Sequence, residues 1–342
     1  MRTVILNPDK NGIEEAAKLL KKGGVVAIPT ETVYGLAADA LNKEAVKNIF
    51  RAKGRPSDNP LIIHTYSLEA AKALVKRIPD KAKKLADKFW PGPLTMIMEK
   101  SDMVPKETSA GLDSIAIRVP ACQTALDLMR SSELFLAAPS ANISGKPSPT
   151  SAEHVINDMY GKVDGILKGE DCKVGIESTI ISLLDDKVTL LRPGRITVEQ
   201  LQEEVGAVII DKAVEFKPDS TEKVLSPGMK YKHYSPDAKV ILVKADKDKY
   251  INFVNSLKNG DEKVLSLCYE EEKEHINVNK LILGKSNDYE QMSKNLFAML
   301  RKADDLKAST VYVHSPLAKG VGLALYNRLI RAAGFEVIDL EE

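Results

Sequence analysis

Residues 25–64 read VVAIPTETVYGLAADALNKEAVKNIFRAKGRPSDNPLIIH, and the order of elements in this stretch points to the fold class. Val25–Ile28 is a short, mostly β-branched apolar run that suits a buried strand. Lys43–Ala52 carries apolar residues at helical spacing, and Leu61–His64 is a second apolar run of strand length. Between these elements lie two polar clusters. PTETVYGL (29–36) brings together Thr30, Glu31, Thr32 and Tyr34 and is closed by Gly35. RAKGRPSDNPL (51–61) sets Lys53 and Arg55 on either side of a glycine, then Ser57, Asp58 and Asn59 between two prolines. Small polar groups at a strand end, next to paired cations, suit a zwitterion beside a polyphosphate. A plainer reading also stands: Thr30 and Thr32 satisfy a turn, and the cations complement a helix C-terminus.

Outward from this stretch, Asn11 is the expected N-cap of a helix whose stripe is Ile13, Ala16, Ala17, Leu19 and Leu20, ended by Gly23-Gly24. Ala82–Phe89 reads as a helix stopped by FWPGPLT. Strands are expected at Leu94–Met98, Ser114–Val119, Leu134–Ala138, Ile176–Leu184 and Val188–Leu191. Some neighbouring strands have no crossover helix between them, which predicts a mixed α/β sheet around one core over residues 1–210. Residues 211–237 break the rhythm with prolines and read as an interdomain linker. Its SPGMKYKHYSPD stretch holds Tyr231, His233 and Tyr234, an aromatic and cationic content foreign to a plain spacer. From 238 to 342, strands and helices alternate regularly, which predicts a small parallel, doubly wound, Rossmann-like domain.

Composition narrows the function classes. In 342 residues, 49 Lys and Arg nearly cancel 48 Asp and Glu, giving a net charge of +1. This argues against a protein that coats nucleic acid or an acidic membrane surface. Three scattered cysteines without a C-x-x-C pair fit a reducing compartment, and the apolar run at the N-terminus is too short for a signal peptide. No window approaches a membrane span, so the expectation is a soluble cytoplasmic protein. There is no P-loop and no G-x-G-x-x-G after a strand; Gly320-Val321-Gly322 lacks the third glycine. The histidines have no metal-binding spacing, so no protein-held metal is expected. Ser140 lies in APSANISG rather than in a hydrolase elbow.

Further polar loops stand beside the remaining strands. Arg118 ends the apolar SIAIRVP, where a cation needs an anion; a ligand carboxylate and an internal carboxylate are both candidates. His64 ends a strand and reads equally as a core histidine. APSANISGKPSPTS concentrates Ser140, Asn142, Ser144, Lys146, Ser148 and Thr150 in one loop, GIEST ends in Ser178 and Thr179, and LRPGR places Arg192 and Arg195 around a turn. Six such loops, all assigned to strand ends, are more than turn chemistry alone accounts for.

These motifs resemble, in order and spacing, the YrdC-like threonylcarbamoyl-AMP synthases: PTETVYGL, K-x-R-P with SDNPL, FWPGPLT, IAIRVP, APSANISGKPSPT, GIESTI and LRPG-R. PGMKYKHYSP and the added α/β domain are similar to the longer, two-domain branch. The quartet Lys53, Arg55, Ser140 and Asn142 is the most specific element of the resemblance. The family converts L-threonine, bicarbonate or carbon dioxide, and ATP into threonylcarbamoyl-adenylate and pyrophosphate. A separate threonylcarbamoyltransferase complex then modifies tRNA, and no stable tRNA binding by the synthase is expected. The resemblance implies that Thr32, His64, Arg118, Ala138 and Ser178 hold threonine. It also implies that Arg55, Asn59, Ser114, Ser140, Asn142, Ser148 and Arg192 hold ATP, joined by Tyr231. Lys53, Arg55 and Arg192, with a Mg²⁺ carried by the nucleotide, would neutralise the departing pyrophosphate. The segment around Pro227–Pro236 is expected to close over the nucleotide. Two other readings remain at this point: an RNA-binding module without ATP turnover, and a carbamoyl-transferring relative of the same fold.

Overall fold

The computed structural model describes residues 2–214, 216, 233–257 and 263–341. The chain divides into two compact units. One holds the described residues within Met1–Ser144, Pro149–Lys173 and Glu177–Lys230, and the other those within Gly145–Ser148, Val174–Ile176 and Tyr231–Glu342. Two short loop segments that interrupt the first unit in sequence thus belong to the second, so neither unit is one uninterrupted stretch of chain.

The first unit runs β1 (Val4–Leu6), α1 (Lys10–Lys21), β2 (Val26–Ile28), β3 (Gly35–Asp39), α2 (Lys43–Lys53), β4 (Ile62–His64), α3 (Leu68–Ala71) and α4 (Asp80–Phe89). Next come β5 (Leu94–Glu99), α5 (Lys106–Ser109), β6 (Ser114–Arg118), α6 (Gln123–Ser132), β7 (Leu136–Ala137), α7 (Ala152–Met159) and β8 (Gly165–Leu167). It ends with β9 (Thr179–Ser182), β10 (Val188–Arg192), α8 (Val198–Val205) and β11 (Val208–Ile210). Among the described residues its strands form an eleven-stranded sheet in the order β1-β8-β2-β3-β7-β4-β6-β5-β9-β10-β11. The pairing is mixed: β4 and β6 run parallel, whereas β7 with β4 and β5 with β6 are antiparallel.

The two sheet faces are covered differently. One packs through Ile63, Ile117, Met96 and Ile181 against Val46, Ile49, Leu85, Val155 and Leu201 of α2, α4, α7 and α8. The other is covered over β2, β3 and β7 by α1 and α6, through Ala16, Leu20, Ala125 and Met129. Farther along, it carries a five-residue cluster that no helical residue joins: Ile62, Ile97, Ala116, Ile180 and Leu191.

The second unit contains β12 (Lys239–Lys244), α9 (Lys247–Ser256), β13 (Val264–Tyr269), β14 (Asn279–Gly284), α10 (Tyr289–Asp305), β15 (Thr310–His314), α11 (Val321–Ala332) and β16 (Val337–Asp339). Its sheet has the order β14-β13-β15-β12-β16, with every described pairing parallel. The expected Rossmann-like, doubly wound domain is therefore present, with strand and helix bounds within a few residues of those read from periodicity.

Three local expectations need correction. The N-cap of α1 is Asp9, whose Oδ1 accepts from Gly12 N at 2.8 Å, so Asn11 lies inside the first turn. The aspartate takes the cap because its carboxylate, three residues before Gly12, reaches one of the orphan amides of the first turn. Gly35–Asp39, where no strand was expected, is a strand pairing with β2 and β7. Its GLAAD sequence has no β-branched residue; tertiary pairing overrides propensity. Finally, the functional residues do not all sit in strand-end loops, as the site itself shows.

Candidate active site

Side chains two residues apart on a strand share a face. On β4, His64 lies with Ile62; on β6, Ser114 and Arg118 lie with Ala116. On β5, Thr95 lies with Ile97, and Ser178 precedes Ile180 of β9 by two. Ile62, Ala116, Ile97 and Ile180 all belong to the five-residue cluster on the face that no helix of that cluster covers. The strand register therefore lays the candidate residues across a sheet face and does not leave them scattered at loop tips. Ser114 and Arg118 stand four residues apart on this face, roughly 13 Å along the strand.

Arg118 organises one end. Its Nη1 donates to Thr32 Oγ1 at 2.9 Å and its Nε to Gly92 O at 3.2 Å, while Nη2 is 2.6 Å from Glu31 Oε1 in an ion pair. The side chains of Arg118 and Glu31 are only 4% and 9% exposed, so this pair is a buried one. His64 pairs in register with Arg118. Burial, and then the Arg118 charge, lower its pKa from 6.5 to about 3, so it stands as a neutral imidazole. Ala138, just beyond β7, donates its amide to Ile62 O at 3.0 Å, which fixes its backbone against β4.

Ser178 is held from two sides. Its Oγ lies 2.7 Å from Thr95 Oγ1 and accepts from Arg192 Nη2 at 3.2 Å, and Arg192 Nε donates to Ser178 O at 3.1 Å. Thr95, fully buried in an otherwise apolar strand, is a residue that the sequence reading did not select. Its signal was a hydroxyl inside LTMIM, a position where a buried polar group needs a partner.

The second cluster gathers around the end of α2. Lys53, read as a phosphate-facing cation, is 3% exposed. Its Nζ donates to Ser140 O at 2.5 Å and to Asn142 O at 2.8 Å. Burial, and then the Arg55 charge, push its pKa well below the lysine range. Lys53 therefore ties the Ser140–Asn142 loop to the helix end, and Ser144 N closes the same link by donating to Lys53 O at 3.0 Å. Gly54, in the left-handed region at φ 62°, turns the chain so that Arg55 leaves the helix. Asn59 is fully buried, and neither Oδ1 nor Nδ2 has a hydrogen-bond partner among the described residues. A buried amide with both ends unsatisfied is costly and points to a ligand.

Two sequence-selected residues are not part of this gathering. Ser148 lies in Gly145–Ser148, which packs with the second unit. There Ser235 N donates to Gly145 O at 2.9 Å and Arg301 Nη2 to Pro147 O at 2.5 Å. Tyr231, and with it most of the expected lid over Pro227–Pro236, lies outside the described residues. Tyr34, grouped with the polar PTET residues, is a core side chain: its ring is fully buried and its hydroxyl donates to Gly169 O at 3.0 Å. No helix among the described residues is long and apolar enough to cross a membrane.

Comparison with known proteins agrees with this geometry. The Sua5/YciO/YrdC family model, described as telomere recombination, matches residues 18–194. A second model, described as the threonylcarbamoyl-AMP synthase C-terminal domain, matches residues 196–334. A threonylcarbamoyl-AMP synthase from Pyrococcus abyssi is 43% identical, covering 98% of this chain and 99% of that protein. One from Bacillus subtilis is 44% identical, covering 95% and 94%. The crystal structure of P. abyssi Sua5 complexed with L-threonine superposes with a TM-score of 0.91 at 42% identity, covering 99% of this chain and all of that one. On these matches, which span both units, the chain belongs to the Sua5/YciO/YrdC family, in its two-domain threonylcarbamoyl-AMP synthase branch.

Proposed function

We propose that this protein forms L-threonylcarbamoyl-adenylate from L-threonine, carbon dioxide or bicarbonate, and ATP, releasing pyrophosphate, on the face of the first unit's sheet that carries the Ile62, Ile97, Ala116, Ile180 and Leu191 cluster. The observation that carries this reading is the placement of Arg118, Thr32 and His64 at one end of that face. Ser114 lies at the other end of the same strand. Threonine's carboxylate pairs with Arg118, and Thr32, Ala138 and Ser178 complete its pocket. A neutral His64 beside Arg118 offers a hydrogen bond without adding a second cation.

Chemically, the free amine of threonine attacks carbon dioxide and forms the N–C bond of a carbamate, losing a proton. A carbamate oxygen then attacks the α-phosphorus of ATP, forming an O–P bond as the bond to pyrophosphate breaks. No protein nucleophile is needed. The site has to align two anions and offset charge on the leaving group. Arg55, Asn59, Ser114, Ser140, Asn142 and Arg192 are assigned to ATP, which enters as its Mg²⁺ complex. Lys53 serves this set by holding the Ser140–Asn142 loop. The adenylate is consumed by a separate transferase acting on tRNA in the cytoplasm.

The test is pyrophosphate release with purified protein. It should require ATP, L-threonine and bicarbonate together, and mass spectrometry should find threonylcarbamoyl-AMP. Equal release without an amino acid, or with L-serine in its place, would remove the assignment. RNA binding with a steep salt dependence and no turnover would favour the RNA-module reading instead.

A further inference from the structure

We infer that Glu31 is the positioning residue of the amino-acid subsite, setting the guanidinium of Arg118 in the orientation that receives the carboxylate of L-threonine. This rests on the function proposed above.

The three contacts of Arg118 approach from different directions: Gly92 O on Nε, Thr32 Oγ1 on Nη1 and Glu31 Oε1 on Nη2. A guanidinium offers five N–H donors in one plane. Nε and Nη1 each donate one, and Nη2 meets Glu31 Oε1 as a close charge pair without a hydrogen bond, so three donors remain while the pair holds the guanidinium plane toward Glu31. Both side-chain contacts come from a single turn. Thr30 Oγ1 donates to Val33 O at 2.6 Å and accepts from Thr32 N at 3.3 Å, which fixes the backbone that carries Glu31 and Thr32.

The charge arrangement points the same way. The Arg118–Glu31 pair sets opposite charges together, and a neutral His64 adds no further cation before substrate enters. A zwitterionic amino acid then adds no net charge. Arg118 alone at 4% exposure would be an uncompensated buried cation, which is costly.

Glu31 is an odd residue to keep for stability alone. It borders a cavity of about 440 Å³ shared with Cys122, Thr124 and Asp171, and neither Oε1 nor Oε2 has a hydrogen-bond partner among the described residues. Buried ion pairs contribute little net stability even when fully satisfied, and here neither carboxylate oxygen accepts a hydrogen bond among the described residues. What the carboxylate does supply is direction for Arg118.

The test compares the full-length wild type with Glu31→Gln in L-threonine-dependent pyrophosphate release, with L-threonine and L-threoninamide as alternative substrates. The expected result for Glu31→Gln is a KM for L-threonine raised roughly tenfold or more, the size of one misdirected charge-assisted hydrogen bond. The KM for ATP should stay within about twofold, and the preference for L-threonine over its uncharged amide should shrink. A general structural role would move both KM values together. An unchanged or lower KM for L-threonine would overturn the inference, because charge removal alone strengthens the pull of Arg118 on a carboxylate. Should Glu31→Gln fail to fold, Glu31→Asp keeps the charge but withdraws it by one methylene, and the same split between substrates decides. Absence of threonine-dependent release in the wild type would instead defeat the proposed function, and this inference with it.

Discussion

Lys53 Nζ, at the last residue of α2, donates to Ser140 O at 2.5 Å across 87 positions of sequence. With the bond to Asn142 O at 2.8 Å, it turns a helix end and a distant loop into one unit. A buried ammonium in that position stabilises two carbonyls that have no water to take its place.

Replacing Lys53 with Met keeps the stem and removes the donor. Expected are a loss of about 1–3 kcal/mol in unfolding free energy, from the carbonyls left unpaired, and a raised KM for ATP as the loop relaxes. Denaturant unfolding with pyrophosphate-release kinetics checks both. Arg55→Ala, by contrast, should raise the KM for ATP without requiring that loss of stability.

Arg118→Ala should reduce kcat/KM for L-threonine about 100-fold or more, since a charge-assisted bidentate contact disappears with its cation. Binding of a nonhydrolysable ATP analogue, measured by calorimetry, should change by no more than about threefold. A parallel loss of nucleotide affinity would mean that Arg118 does not belong to the amino-acid end.

Thr95→Val preserves shape in a fully buried strand position while deleting the hydroxyl 2.7 Å from Ser178 Oγ. About 1 kcal/mol of stability should be lost. The KM for L-threonine should rise several-fold, because Ser178 would then be held by Arg192 alone. If kinetics are untouched, Ser178 needs no help from β5.

His64 supplies a pH dependence of stability. Its pKa is lowered from 6.5 to about 3, chiefly by burial and next by the charge of Arg118. The unfolded chain takes up this proton below about pH 6.5, whereas the folded protein does so only near 3. The contribution is therefore fully present above 6.5 and is lost as pH falls through that window, by about 1.4 kcal/mol per pH unit. His64→Asn should flatten the slope of unfolding free energy between pH 6.5 and 4 relative to wild type. An identical slope would mean that other groups dominate.

The second unit was legible almost element by element. Lys239–Lys244, Val264–Tyr269 and Thr310–His314 are apolar, β-branched runs separated by amphipathic segments, and buried parallel strands carry their identity locally. The first unit was harder. β3, with the sequence GLAAD, gains its strand state from β2 and β7 on either side, and no local pattern encodes that. α6, α7 and α8 are 10, 8 and 8 residues long, too short for helical periodicity to stand out locally.

The same division holds at the site. Chain chemistry alone identified PTET, K-x-R, Arg118, S-x-N, Ser178 and Arg192 as a set, because each places polar groups where an apolar strand meets a turn. It left open whether Arg118 serves a ligand or an internal carboxylate, and whether Lys53 faces phosphate. The tertiary structure adds that Arg118 pairs with Glu31 and that Lys53 meets the carbonyls of Ser140 and Asn142. Thr32 and Arg118 are 86 residues apart, and their contact depends on which strands lie side by side and on which face each residue falls. Register is a non-local property: a shift of one residue would send every one of these side chains to the opposite face. Residue types could therefore announce the chemistry, while the pairing of Glu31 with Arg118 and of Lys53 with the Ser140 loop arose only when the sheet closed around them.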